Sequence, residues 1–243
     1  MNFIKIQRNC FNAGFGLGCM LTLNNSAGKY VAFVNSDTYF EEDCFSELVD
    51  FIESNNYVGA ITPQHLDGDG KKVKSYGYFE SFYSRFISNK NNVIEDDSEP
   101  YVVDFIFGSF MMVRRDDFSK VGGFDPNIFL YYEEMDLCMR LKAEGLKCVV
   151  YPQRSFRHIF NASTGVRSED LRFESLLSMI YVVRKHRGII YGVCFYFALI
   201  IKFLIKSPFK SRNRRLFIRL LTALMPQATS MRLKQKCGFL ESR

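Results

Sequence analysis

Residues 124–140 read FDPNIFLYYEEMDLCMR, and the reading turns on where three carboxylates fall. Glu133, Glu134 and Asp136 stand at the start of a helix that runs on to Gly145, directly after the aromatic run of Phe129, Tyr131 and Tyr132. Anions are favoured there by the helix dipole and by the free N–H groups of the first turn. One carboxylate would serve a bland helix. Three behind a row of aromatics suit a general base at the mouth of a pocket with apolar walls. Simple N-terminal capping accounts for the same residues, and the stretch alone leaves both readings open.

Strands and helices alternate on both sides of it. Upstream, KYVAFVNSD gives a buried strand at Tyr30–Val34 that turns polar abruptly. Glu41–Asn55 puts Phe45, Leu48, Val49 and Ile52 on one helical face, and Tyr57–Ile61 is a second strand closed by Thr62-Pro63. Residues 64–100 are polar, with LDGDGKK as a turn and NKNNVIEDDSEP as a flexible loop. Tyr101–Phe107 is a strand, GSFMMVRR follows, and a short helix from Asp116 stops at Gly122-Gly123. Downstream, KCVVYP is a further strand. The alternation indicates an α/β fold with a largely parallel sheet. Near the start, residues 12–18 (NAGFGLG) read as a glycine-rich turn ahead of a short helix reaching Asn25. The turn is similar to a dinucleotide-binding loop, but no strand precedes it and the acidic residue expected about 20 positions later is out of context.

Composition fits a globular chain: 243 residues, 47% hydrophobic, 24% charged, net charge +6. That length supports one core, or one domain with an appendage. The seven cysteines are scattered singly without a CxxC pair, so neither a disulfide framework nor a zinc site is indicated. MNFIKIQRNC lacks the apolar core and cleavage site of a signal peptide, and a reducing cytosolic location is expected. Acidic residues gather between Asp37 and Asp136. From Arg184 onward basic blocks dominate (RKHR, KSPFKSRNRR, MRLKQK), which points to an anionic partner, membrane or nucleic acid.

The last third changes character. Glu169–Arg187 is helical in pattern, and Gly188–Ile201 is an apolar run of about 14 residues, short of the ~20 that span a bilayer. With Lys and Arg at both ends, it suits an amphipathic or shallowly inserted helix pair. A buried core helix or a dimer interface in a homo-oligomer would also account for it.

Four segments then stand in order: Asn12-Ala13-Gly14-Phe15-Gly16; Val34-Asn35-Ser36-Asp37-Thr38 at a strand end; Gly108-Ser109 through Arg114-Arg115 to Gly122-Gly123-Phe124-Asp125; and Tyr132-Glu133-Glu134-Met135-Asp136-Leu137, followed by His158 and Ser163. In that order they resemble the inverting, nucleotide-sugar-dependent glycosyltransferases of family 2, in the rhamnosyltransferase-like branch that builds bacterial surface polysaccharides such as O-antigen. The resemblance covers residues 7 to about 165. It implies a GT-A-like fold, a partial Rossmann-like mixed sheet flanked by helices, over residues 1–165, with a helical, membrane-associating extension at 166–243.

By the same resemblance Glu134 is the catalytic base, and Asp37 and His158 are metal ligands for Mg2+ or Mn2+. Asn12, Gly14, Phe15, Asn35, Gly108, Ser109, Asp125, Glu133 and Asp136 contact donor or acceptor. From the residues alone, Asp37 would equally cap the next helix and His158 would equally be structural. The implied partners are a nucleotide-sugar donor (rhamnose in its dTDP form), a lipid-linked saccharide acceptor and the inner face of the bacterial cell membrane. Nucleic acid is not expected, because the basic charges are interleaved with aliphatic runs.

Two positions depart from the family pattern. Glu134 stands where the family has aspartate, and Met20 where it has asparagine. The chain is also expected to start partway into the domain, about 40–70 residues or one to two βα units late, and alone to bind a nucleotide-sugar poorly. A non-catalytic, partner-binding remnant of such an enzyme is the alternative.

Overall fold

The stretch Phe110–Arg114, apolar up to its final arginine, lies at the centre of the fold. In the computed structural model, which describes residues 4–23, 26–79, 86, 98–158 and 168–222, it is a strand with neighbours on both edges. In chain order the elements are α1 (Phe15–Leu23), β1 (Tyr30–Val34), β2 (Thr38–Tyr39), α2 (Phe45–Ser54), β3 (Val58–Leu66), β4 (Lys72–Val73), β5 (Tyr76–Gly77), β6 (Tyr101–Val103), β7 (Phe105–Ile106), β8 (Phe110–Arg114), α3 (Arg115–Lys120), α4 (Glu133–Ala143), β9 (Lys147–His158), α5 (Ser168–Arg187), α6 (Ile189–Lys206) and α7 (Ser211–Thr222).

The main sheet runs β1-β8-β3-β9-β2, with β4 on β3 and β6 on β9, while β5 and β7 pair separately. Of these pairings only β3 with β9 is parallel. The largely parallel sheet expected from the alternation is therefore corrected to a mixed one. β1 and β3 are both antiparallel to β8 and so run the same way, and β9 runs with them. β8 inserts against them, with Val113 opposite both Val31 and Ala60. The single strand expected at Tyr101–Phe107 is split: β6 joins β9 and β7 turns away to β5.

Side chains alternate across this sheet with the strand period of two. Phe110 and Met112 face α2, where Leu48, Ile52, Ile61, Val149 and Phe156 complete one core layer. Met111 and Val113 face the other way, toward Phe118 of α3, Phe124 of the segment after it, and Leu137 and Leu141 of α4, with Phe15, Cys19 and Met20 of α1 alongside. Met20 is thus a core contact. Helices on both faces of a mixed sheet give an α/β sandwich.

α5, α6 and α7 form their own apolar cluster around Phe173, Ile180, Phe195, Leu199, Phe203 and Leu220. They also reach the sandwich. Val182 of α5 is buried with Ile128 and Met135, and Ser178 Oγ donates to the Leu130 carbonyl at 2.8 Å. α6 has 18 residues, longer than the apolar run read from the sequence, and is long and apolar enough to cross a membrane by length and composition, with 22% of it buried. Part of the basic charge is neutralised internally: Arg215 pairs with Glu169, Arg219 with Asp170, and Lys185 with Asp125 and Asp136. The loop NKNNVIEDDSEP apart from its last three residues, the segment from Ile159 through Ser163, and the MRLKQK block lie outside the described residues.

Candidate active site

β1 ends at Val34, and the chain turns at once: Thr38 N–H donates to Asn35 O at 3.2 Å, and β2 then pairs Thr38 with His158 at the end of β9. This turn carries Asp37 to His158. Asp37 Oδ1 lies 2.9 Å from His158 Nε2, and Asn35 Nδ2 is 3.3 Å from the same nitrogen. His65, buried near the end of β3, stacks on Phe156 at 4.9 Å and sits 5.4 Å from the His158 ring. Burial, then the His158 ring beside it, lowers the His65 pKa to about 4, so its imidazole is neutral near pH 7. Sequence reading passed over His65. Its one signal was a histidine beside Gln64 where an apolar strand turns polar, just before the Asp67–Gly70 turn.

The second half of the site hangs on α4. Tyr131 and Tyr132 both take positive φ (65° and 71°), and the chain enters the helix from that bend. Glu134 Oε1 accepts the Gly108 N–H at 2.8 Å. One residue on, the Ser109 carbonyl accepts Asn35 N–H at 3.1 Å and Thr38 Oγ1 at 3.4 Å. The Gly108–Ser109 segment therefore holds Glu134 with its amide and the Asn35–Thr38 turn with its carbonyl. Gly108 is required by close approach, since a β-carbon there would overlap Glu134 Oε1 and stand 3.1 Å from Cδ. Glu134 is thus tied to one residue of this segment, and the turn that carries Asp37 to His158 is tied to the next.

Burial raises the Glu134 pKa, partly offset by backbone N–H donors including Gly108. Glu133 is 2% exposed, its Oε2 has no hydrogen-bond partner among the described residues, and burial followed by the Glu134 charge raises its pKa well above the carboxylate range. The two carboxylates also lie close to α1: burial, then Glu133 and Glu134, pushes the Cys19 thiol up to about 12. A glutamate poised above its ordinary pKa, with one oxygen fixed, is suited to general-base work.

Other expected contacts are placed differently. Asp125 and Asp136 were read as touching donor or acceptor, but their oxygens are already taken. Asp136 is fully buried against Arg140 and Lys185 (2.7 Å each) and His186 (2.8 Å). Burial alone would raise its pKa, yet His186, Arg140 and Lys185 bring it down to about 2. Asp125 Oδ2 accepts from Lys185 at 2.7 Å and the Tyr181 hydroxyl at 3.0 Å. Both aspartates bind α5 to the segment carrying Glu134, so their charge is spent inside the protein. Gly14 and Phe15 likewise brace that segment: Phe15 N–H donates to Phe129 O at 3.2 Å, its ring meets Phe124 edge-on, and Gly14 (φ 76°) lies so close that a β-carbon would overlap the Phe129 carbonyl. Asn12 Oδ1 accepts Gly14 N–H at 2.9 Å, which closes the turn. The glycine-rich turn is shorter than expected, because α1 begins at Phe15 and absorbs Gly16 and Gly18.

A divalent cation fits the Asp37–His158 pair. Two cis ligands of an octahedral ion at about 2.1 Å stand roughly 3 Å apart, close to the 2.9 Å separation here. His158 Nε2 thus faces both the Asp37 carboxylate and the Asn35 side-chain amide. Among the described residues no group of three or more His, Cys, Asp or Glu side chains is placed to hold a metal ion, so the remaining positions would fall to substrate oxygens and water.

The family model described as glycosyl transferase family group 2 matches residues 30–230. The chain belongs to glycosyl transferase family group 2. Within reach of this family 2 chain is rhamnosyltransferase WbbL of Escherichia coli (strain K12), 28% identical over 166 residues, covering 64% of this chain and 62% of that protein. The N-acetylglucosaminyl-diphospho-decaprenol L-rhamnosyltransferase of Mycobacterium tuberculosis (strain CDC 1551 / Oshkosh) is 28% identical over 175 residues, covering 65% of this chain and 56% of that protein. The chain thus spans about three fifths of the length of the curated relatives it matches. Among solved structures, GalNAc-T7 with UDP, GalNAc and Mn2+ superposes with a TM-score of 0.55 at 15% identity, over 74% of this chain and 37% of that one. That likeness concerns the fold, and the family 2 chain has the GT-A architecture expected of it: a mixed sheet flanked by helices.

Proposed function

We propose that this chain carries the catalytic site of an inverting, nucleotide-sugar-dependent glycosyltransferase that extends a lipid-linked saccharide. The observation that supports it most is the Gly108–Ser109 segment: the Gly108 N–H holds the Glu134 carboxylate, and the Ser109 carbonyl holds the Asn35–Thr38 turn that carries Asp37 to His158. Glu134, fixed through Oε1, has Oε2 to take the proton of the acceptor hydroxyl as that oxygen attacks the anomeric carbon. The bond to the diphosphate breaks in the same displacement, and configuration inverts. Asp37 and His158 would hold Mg2+ or Mn2+, which when bound neutralises charge on the leaving diphosphate. Asn35 stays within reach of the same cluster, and Ser109 lines the turn beside it.

The rhamnosyl names of both relatives make dTDP-rhamnose the donor of choice. The diphospho-decaprenol name of one favours a saccharide diphosphate on a lipid carrier as acceptor. On this reading the protein works peripherally on the cytoplasmic face of the cell membrane. α6 supports that placement: Ile190, Val193, Phe197, Ile201, Leu204 and Ile205 form one exposed apolar face, with exposed Arg187 at one end and Lys206, Lys210 and Arg212 at the other. An uncharged stripe between cations suits insertion among anionic headgroups.

The test is transfer from dTDP-rhamnose to an N-acetylglucosaminyl diphosphate carrying a short lipid, with Mn2+ or Mg2+, for wild type and Glu134→Gln. Turnover that falls by about 10²-fold or more in a folded Glu134→Gln protein is expected. A variant that keeps its turnover would refute Glu134 as the base.

A further inference from the structure

Tyr131 and Tyr132 are the only residues other than glycine with positive φ among the described residues, and they are consecutive. A side chain disfavours this region because its β-carbon crowds the backbone. Such conformations persist only where the surroundings over-determine them, and they gather at functional sites. Here the anchors are visible. The Leu130 carbonyl accepts Ser178 Oγ at 2.8 Å, the Tyr132 carbonyl accepts Asp136 N–H at 2.9 Å, and the Tyr132 ring packs into the cluster of α5, α6 and α7. On the near side Phe129 O accepts Phe15 N–H.

Between these anchors the Tyr131 side chain reaches solvent. Tyr131 is 40% exposed, and its hydroxyl has no hydrogen-bond partner among the described residues. Tyr131 stands two residues before Glu133 and three before Glu134 at the entry of α4, and burial of the rest of the ring, then the charges of those two carboxylates, raises its phenol pKa. Glycine would make this bend without strain. The chain instead spends the strain on presenting an aromatic ring.

A general base must come within about 3 Å of the hydroxyl it deprotonates, so the surface beside Glu134 is the acceptor's side of the site. An exposed aromatic ring offers the apolar C–H face of a pyranose a flat surface, and its hydroxyl offers a sugar hydroxyl a hydrogen bond. Resting on the transferase reading above, we propose that Tyr131 is an acceptor-specificity residue, held by the strained bend so that its ring packs against the acceptor's terminal sugar.

The experiment compares wild type, Tyr131→Phe and Tyr131→Gly by thermal melting, by steady-state kinetics with dTDP-rhamnose and the N-acetylglucosaminyl diphosphate probe, and by calorimetric binding of that probe. Tyr131→Gly removes the ring and relieves the positive φ, so it is expected to melt no lower than wild type. Its acceptor KM should rise about tenfold with the donor KM unchanged, and its probe affinity should fall by a similar factor. Tyr131→Phe keeps the ring and should stay within about threefold of wild type. Unchanged probe binding in Tyr131→Gly, or a donor KM that rises with the acceptor KM, overturns the inference. Binding reads the contact independently of turnover. A wild-type protein that binds the probe through Tyr131 without transferring sugar would overturn the transferase reading alone, and one that neither binds nor reacts overturns both.

Discussion

Replacing Gly108 by alanine should disable the base while leaving the donor site intact. The Gly108 backbone is outside the positive-φ region, so alanine is conformationally acceptable there. Its β-carbon would overlap Glu134 Oε1 and lie 3.1 Å from Cδ and 3.2 Å from Cγ. Carbon atoms pack at about 3.5–4.0 Å, so the carboxylate must retreat by roughly 1 Å, and a displacement of that size costs on the order of 10²-fold in rate. The retreat also breaks the 2.8 Å bond from Gly108 N–H, one of the donors that lowers the Glu134 pKa. The charged form loses a partner, the pKa moves up, and the acid limb of the rate profile shifts to higher pH.

Initial rates over a pH series, with donor and acceptor varied separately, read all of this. Gly108→Ala should lose about 10²-fold in kcat, keep its donor KM within about threefold, and show the displaced acid limb. A donor KM that rises steeply with kcat preserved would mean that Gly108 merely leaves room for the sugar. Unchanged kinetics would refute the positioning argument.

Other consequences are equally open to measurement. Asp136→Asn strips Arg140, Lys185 and His186 of their shared buried partner and should destabilise by about 3–5 kcal/mol in denaturant titrations; because Asp136 titrates at about 2 in the fold, the gap to wild type should close as pH falls through that value. Glu133 holds its proton more tightly folded than unfolded, so it costs stability as pH rises from about 4.3 through its raised pKa. Glu133→Gln should therefore melt above wild type at pH 8 and by less at pH 5; the reverse order would show that the buried carboxylate is paired. Phe197→Glu with Ile201→Glu should abolish flotation with anionic liposomes at low salt while leaving turnover on a detergent-dispersed acceptor intact, and flotation of the double variant would remove α6 as the docking face.

Much of this was legible in the sequence because the signals were local. The apolar run of Tyr30–Val34 ending in NSD, the carboxylates opening α4 and the periodicity of α2 each fix an element from neighbouring residues. The mixed order of the sheet was not legible, since an apolar run such as Phe110–Val113 reads the same whichever way its strand runs. The internal partners of Asp125 and Asp136 were hidden for a related reason. A carboxylate in a motif looks available until the fold brings Lys185 and His186 onto it from 50 or more residues away. The role of Gly108 was half seen: smallness was expected there, but the group that demands it is Glu134, 26 positions on. The added methylene of Glu134 is matched to this amide, which gives the longer side chain a fixed oxygen.

The most direct measurement is the crystal structure of the protein grown with Mn2+ and dTDP-rhamnose, with the metal placed by its anomalous signal. The account predicts manganese bound to Asp37 and His158 Nε2, with the sugar's anomeric carbon on the Glu134 side of the Gly108–Ser109 turn. Manganese and nucleotide bound on another surface, with Glu134 facing solvent or core, would contradict it.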